Sequence, residues 1–247
     1  MFVTTDLSAE LQLLSRFPVF RGMSQDQINR FAPQLHRRSF NAGQYIALSE
    51  QPGEVIYFII SGAIEIQVDQ IGGEDMILAI LGPGDVVGEM SLFGNYRGRA
   101  ANVVSLIDSV LLWMDRQAFQ SLLETVPILT RNLLHILSDR LRLANEQLRS
   151  YTALDVQGRV ARQLILLSRQ FGVQQADGSV LIPLRITQQD LAALVGASRE
   201  RVNQTLGRAK RQRLISVDTA GQIVIRKPDA LAELCWGYLS QPSDPRP

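Results

Sequence analysis

Two groups of residues in this chain have types and spacings suited to phosphate and to nucleobases. The first is Gly84-Asp85-Val86-Val87-Gly88-Glu89-Met90-Ser91-Leu92-Phe93, followed ten residues after Glu89 by Arg99-Ala100-Ala101. Gly88 lets backbone N–H groups converge on an anion, and one helical turn over Glu89 to Phe93 adds positive potential at its N-terminus. Arg99 supplies a planar guanidinium fork for phosphate oxygens. Glu89 has two open roles, orienting Arg99 or accepting from a ribose hydroxyl, and an ordinary surface Glu–Arg pair is the plainer alternative. The second group is Ser198, Arg199, Glu200, Arg201, Asn203 and Gln204, which point outward from one predicted helix and are able to read base edges.

The elements that must hold these residues are legible locally. Thr187 and Ser198 are suited to cap two successive helices, and Asp190 completes a capping box with Thr187. Leu191, Leu194 and Val195 give the first helix an apolar face; Val202 and Leu206 give one to the second. Ala192 allows the two to cross closely, and Gly196 suits the left-handed residue of a tight turn. Leu214–Val217 and Gln222–Ile225, around Thr219-Ala220-Gly221, add a hairpin, which predicts a winged helix-turn-helix. Further helices are predicted over Val156 to Phe171 and Pro228 to Leu239, with disorder from Gln241 to Pro247.

Upstream, the apolar period is two from Arg38 to Met114. Strands are predicted near Tyr45–Leu48, Val55–Ile60, Ala63–Val68, Met76–Leu81, Ala101–Leu106 and Ser109–Met114, separated by Pro52-Gly53, Ser61-Gly62, Gly72-Gly73 and Gly82-Pro83-Gly84-Asp85. This implies an antiparallel barrel or sandwich. Short helices precede it at Leu7–Leu14 and Ser24–Leu35. Asp115 caps another, and Pro127 opens one that runs to about Tyr151. On that long helix Leu134, Leu137, Leu141, Ala144, Leu148 and Tyr151 alternate spacings of three and four, the seam of a two-stranded coiled coil. Leu133, Ile136 and Leu143 form a second stripe that could lie on the chain's own barrel. An amphipathic helix buried within one domain is the alternative. The fold class is thus α+β. The expected domains are a sensor barrel over residues 1–126, a dimerisation helix over 127–154, a DNA-binding domain over 155–228, and a C-terminal helix and tail over 229–247.

Composition narrows the function. The chain has 247 residues and a net charge of +1, yet residues 155–227 carry 12 Lys/Arg against 5 Asp/Glu, and residues 1–154 carry 12 against 16. A basic module that meets phosphate behind an acidic one fits this asymmetry. One cysteine, Cys235, excludes an intrachain disulfide framework and an iron–sulfur cluster and suits a reducing cytoplasm. Two histidines, His36 and His135, argue against a zinc site, and no nucleophile–base constellation argues for an enzyme. No apolar run spans a bilayer, and the first residues lack the pattern of a signal peptide.

The order Tyr57-Phe58-Ile59-Ile60-Ser61-Gly62, Gly82-Pro83-Gly84-Asp85, Gly88-Glu89 and Arg99-Ala100-Ala101, followed by the long helix and the winged helix-turn-helix, resembles the Crp/Fnr transcription regulators from about residue 10 to 228. The resemblance implies a homodimeric cytoplasmic regulator, with a near-palindromic DNA operator and RNA polymerase as partners. Its effector would be a cyclic nucleotide, cyclic AMP first, with no haem or metal. It places Val87, Gly88, Glu89, Met90, Ser91, Arg99, Ala100 and Ala101 at the nucleotide. Within this set Glu89 meets the ribose and Arg99 the cyclic phosphate. Ala144 and Asn145 fall where the cyclic-AMP-binding members have Thr-Ser against adenine, and Ala100 replaces a common hydroxyl. The Ala100 departure is mild, since Arg-Ala-Ala also occurs in similar barrels. That at Ala144-Asn145 leaves another nucleotide, such as cyclic di-GMP, as an alternative, and a barrel that serves only as a scaffold for ligand-independent DNA binding is a second. For DNA, Arg199, Glu200 and Gln204 would contact bases of a half-site related to TGTGA. Arg201 would meet phosphate, and Thr187, Gln189 and Ser198 would position the backbone, with Asn203 beside them.

Overall fold

The computed structural model describes residues 14–15, 17–49, 53–69, 76–92 and 101–235. The expected helix Leu7–Leu14 lies outside these except for its last residue, as do Pro52, Gly72-Gly73, Phe93, Arg99, Ala100, the end of the last helix and the tail. The chain divides into two compact units, residues 1–68 with 79–143 and residues 69–78 with 144–247.

The first unit opens with helix α1 (Gln25–Phe31), whose N-terminus carries a full capping box between Ser24 and Gln27. Pro33 turns its end into a 3-10 helix over Ala32–Gln34. Strands β1 (His36–Phe40), β2 (Tyr45–Ala47), β3 (Val55–Ser61), β4 (Ile64–Val68), β5 (Met76–Leu81), β6 (Val86–Val87), β7 (Asn102–Ser105) and β8 (Ser109–Asp115) follow. They form two four-stranded sheets, ordered β1-β8-β3-β6 and β2-β7-β4-β5. All six expected strands agree within one residue at each end. The strand at Ala101–Leu106 is shorter, over Asn102–Ser105. Strand β1 was not expected because His36, Arg37, Arg38 and Ser39 are all exposed and only Phe40 is buried. An edge strand paired on one side can be polar nearly throughout.

Strand β3 shows how the core is arranged. Tyr57 and Ile59 join Phe40, Ile46, Ile64, Val87, Val103 and Leu111 in one cluster. Ile56 and Phe58 point the other way, into a cluster with Phe20, Phe31, Leu112, Met114, Phe119, Leu129 and Leu133. Burial on both faces explains why Val55–Ile60 is an unbroken apolar run rather than an alternating one. Phe58 lies 5.1 Å from Phe20 and 5.8 Å from Phe119 between ring centres.

Helix α2 (Arg116–Thr125) is capped by Asp115, which accepts from the Gln117 and Ala118 amides. Helix α3 (Pro127–Ala153) is the long helix. Asn132 on it donates to the carbonyls of Val19 at 3.1 Å and Arg21 at 2.7 Å. Leu133 is buried and Ile136 packs on the barrel core, as expected for that stripe, and Leu137 joins them there. Leu143, by contrast, is exposed.

In the second unit, helix α4 (Val156–Phe171) has the expected bounds and is capped by Asp155. Strands β9 (Val173–Gln174) and β10 (Val180–Ile182) come next, then helices α5 (Gln188–Val195) and α6 (Arg199–Arg211), strands β11 (Ile215–Val217) and β12 (Ile223–Ile225), and helix α7 (Pro228–Glu233). The wing is therefore a four-stranded sheet, β11-β12-β10-β9, not a lone hairpin. Its extra strands have two and three residues, too short to show a period. Arg226 fastens the sheet, donating to Ser216 and pairing with Asp177 at 3.0 Å. Hydrogen bonds from the Ser179 side chain and amide hold the Asp177 carboxyl below the usual carboxylate range, helped by Arg226.

Replacing Phe58 by Ala should cost about 3–5 kcal/mol, the range for emptying a buried aromatic site. Urea unfolding of the first unit is the measurement, and a loss under 1 kcal/mol would mean the ring cluster is not central.

Candidate functional site

The first expected site begins where Asp85 closes a turn. Its carboxylate accepts from the Gly82 amide at 2.9 Å, and its carbonyl accepts from Ile59 at 3.0 Å. Strand β6 then pairs with β3, Val87 opposite Tyr57, so Val87 is a core residue. Gly88 has φ of +97°, a conformation that favours glycine. It directs the chain into a 3-10 turn over Glu89–Leu92. Met90 on this turn is exposed, while Ser91 is buried beside Gly53, where a Cβ would strike the Ser91 side chain. Gln120 on α2 donates to the Leu92 carbonyl at 2.8 Å and holds the end of the turn.

Glu89 is only 3% exposed. Its carboxylate pairs with Arg140 of α3, and the other guanidinium nitrogen of Arg140 donates to the Val86 carbonyl at 2.6 Å. Sequence reasoning offered Arg99 as the partner of Glu89. Arg99 and Ala100 lie outside the described residues, and Ala101 is half-buried just before β7. Arg140 was missed, although one signal was available: it lies four residues before Ala144, on the same helical face as the expected base contact. Ala144 and Asn145 are exposed on α3, in the second unit.

The second expected site is assembled as anticipated in its local structure. Thr187 and Asp190 form a complete capping box, with the Thr187 amide donating to Asp190 at 2.7 Å. Gly196 is left-handed, with φ of 60° and ψ of 52°, and Ser198 caps α6 by accepting from the Arg201 amide. Arg199, Glu200, Arg201, Asn203 and Gln204 are exposed on the first two turns of α6, and Gln189 is half-buried on α5. Gln204 donates to Glu200 at 3.2 Å, and Gln188 donates to Asn203 at 3.0 Å.

Beside this face lies an open concavity of about 380 Å³ whose lining includes Arg159, Arg201, Gln204 and Arg208. Arg208 donates to Gln157 at 2.9 Å across it. Its lining sets three guanidinium groups beside one carboxylate, Asp155, a net positive field suited to an anionic backbone. Arg159 and Arg208 were not anticipated; their contribution requires α4 and α6 to meet, which local pattern does not reveal. Cys235 is buried, and burial pushes its thiol up despite the positive charges of Arg162 and Arg169. Among the described residues no cluster of three or more His, Cys, Asp or Glu is placed to hold a metal ion, and no helix is long and apolar enough to cross a membrane.

Comparison with known proteins agrees with this division of labour. Residues 37–126 match a cyclic nucleotide-binding domain and residues 158–234 a Crp-like helix-turn-helix domain. A CRP-like cAMP-activated global transcriptional regulator of Mycobacterium tuberculosis is 35% identical over 195 residues, covering 79% of this chain and 86% of that protein. The cyclic AMP receptor protein of Thermus thermophilus is 30% identical, covering 89% and 97%. The solved structure of the c-di-GMP-responsive global regulator CLP of Xanthomonas campestris superposes with a TM-score of 0.71 at 26% identity, covering 82% of this chain and 99% of that one. With a nucleotide-binding sandwich ahead of a capped helix-turn-helix and this degree of identity to such regulators, the chain belongs to the CRP/FNR family of transcription regulators.

Proposed function

We propose that the protein is a cytoplasmic, homodimeric regulator whose grip on a near-palindromic operator is set by a cyclic nucleotide, cyclic AMP first. The observation that carries this reading is the buried Glu89 at the head of a glycine-led turn, paired with a guanidinium from the long helix. A carboxylate and a guanidinium at one turn fit a molecule that carries both ribose hydroxyls and a phosphodiester. Val87 to Ser91, Arg99, Ala100 and Ala101 would hold it, with Ala144 and Asn145 at the base; bound there, the nucleotide supplies an anion and hydroxyl donors. The relatives named for cyclic AMP support this choice, and the CLP likeness makes cyclic di-GMP the second candidate.

The dimer reading rests on Leu134, Leu141 and Leu148, which are 58%, 64% and 63% exposed at spacings of seven. Three solvent-facing leucines in a row on one helix call for a partner, and an identical helix is the natural one. Helix 127–154 is accordingly assigned to dimerisation, and RNA polymerase to the further partners. Arg199, Glu200 and Gln204 are assigned to bases, Arg201 to phosphate, and Thr187, Gln189, Ser198 and Asn203 to positioning.

On DNA selected from a random pool, cyclic AMP should tighten binding about 5–150-fold, the usual span of allosteric coupling. Parallel titrations with cyclic GMP and cyclic di-GMP identify the effector, and equal binding under all conditions would leave only the ligand-independent reading. Arg99→Ala should abolish nucleotide binding in calorimetry, and Arg140→Leu should weaken it by about tenfold or more, a loss of about 1.4 kcal/mol.

Arg199→Ala should cost about 1–3 kcal/mol and relax preference at one base. Arg201→Ala should weaken all sequences alike and lower the salt slope of binding by about 1. If the two variants exchanged these behaviours, the base and phosphate roles would be reversed.

A further inference from the structure

The carboxyl end of α5 leaves carbonyls that its own helix cannot satisfy. The Ala192 carbonyl accepts from the Gly196 and Ala197 amides, which leaves those of Leu194 and Gly196 to other donors. The Leu194 carbonyl accepts from Gln147 Nε2 at 2.9 Å, and that of Gly196 accepts from Arg159 at 3.3 Å. Gln147 belongs to the last turns of α3, inside the second unit. Its Nε2 also donates to the Tyr151 hydroxyl at 3.1 Å, and its Oε1 accepts from Arg162 at 2.7 Å. Both ends of one amide are thus committed.

Arg162 explains why the arrangement is demanding. It is 3% exposed, and its other guanidinium nitrogen lies 3.6 Å from Glu146. A guanidinium so deeply placed must be hydrogen-bonded, and both of these partners are on α3. Tyr151 completes the contact: a Cβ on Gly196 would lie 2.9 Å from its ring.

We infer that Gln147 is a positioning residue for DNA reading, because its amide joins the buried Arg162 to the Leu194 carbonyl at the turn that aims α6. This rests on the regulator reading above and extends it to a residue that touches neither nucleotide nor DNA. Anchored on one side by Arg162, the Gln147 amide holds the turn on the other. The angle at which Arg199, Glu200 and Gln204 are presented depends on that donor, together with Arg159 at the Gly196 carbonyl.

Gln147→Glu separates this role from a structural one. Glutamate keeps an acceptor for Arg162, now charge against charge, but has no N–H for Leu194 and sets a negative oxygen against that carbonyl. The readout is the ratio of operator to random-DNA affinity in the full-length protein, which an unfolded fraction would not alter. The ratio should fall about tenfold, while calorimetric binding of cyclic AMP matches that of the wild type. An unchanged ratio would show that Gln147 serves only to satisfy Arg162 and would overturn the inference. Wild-type protein that shifted no selected DNA would overturn the regulator reading, and this one with it.

Discussion

A carboxylate with as little exposure as Glu89 is tolerable only beside a positive charge, and Arg140 provides it. Loss of Arg140, whose own side chain is 28% exposed, would leave Glu89 desolvated without its attraction. Arg140 also bonds the Val86 carbonyl, so its planar fork spans the end of β6 and the turn that follows. This fixes the rotation of α3 about its own axis. Leu129, Leu133, Ile136 and Arg140 lie within a narrow arc of the helix and are taken up by the first unit. Leu134, Leu141 and Leu148 are left on a flanking arc in solvent. The exposed seam and the paired glutamate are two consequences of one helix orientation.

That link accounts for what could and could not be read from the residues alone. The helix-turn-helix was legible because its signals are local: Thr187 with Asp190, Gly196, and Ser198 each act within a few residues. The strand run was legible from its period and its glycine turns. Strand β1 was not, because its polar side chains record only that it is an edge. Arg140 acts across 51 positions; its place one turn before Ala144 marks its helical face but does not name its partner. The seam shows the same limit of spacing. Leu137 packs on the barrel core and Tyr151 stands against Gly196, although both have the spacing of the exposed leucines. Spacing names a face of a helix; the neighbour that covers it is a tertiary fact.

The same asymmetry runs through the ends of the helices. Amino ends are capped by residues adjoining them in sequence, as Ser24, Asp115, Asp155, Thr187 and Ser198 show. The carboxyl end of α5 draws donors from positions 37 and 47 residues away. N-terminal capping is therefore visible in a sequence, whereas this carboxyl end adds to the local bonds of Gly196 and Ala197 a dependence on the packing of three helices. A turn built this way keeps its shape only while those helices stay together.

The free reading helix is not bare. Glu200 accepts from Gln204, and Asn203 accepts from Gln188, so three side chains on α6 already have partners before any base arrives. All of these residues are exposed or half-buried, so water competes for each bond and its net worth is about 0.5–1.5 kcal/mol. Bases that match return that amount and more; bases that do not match leave polar groups desolvated and unpaired. If α6 reads bases as proposed, discrimination is the difference between two sets of hydrogen bonds, those made on the operator and those given up on the helix.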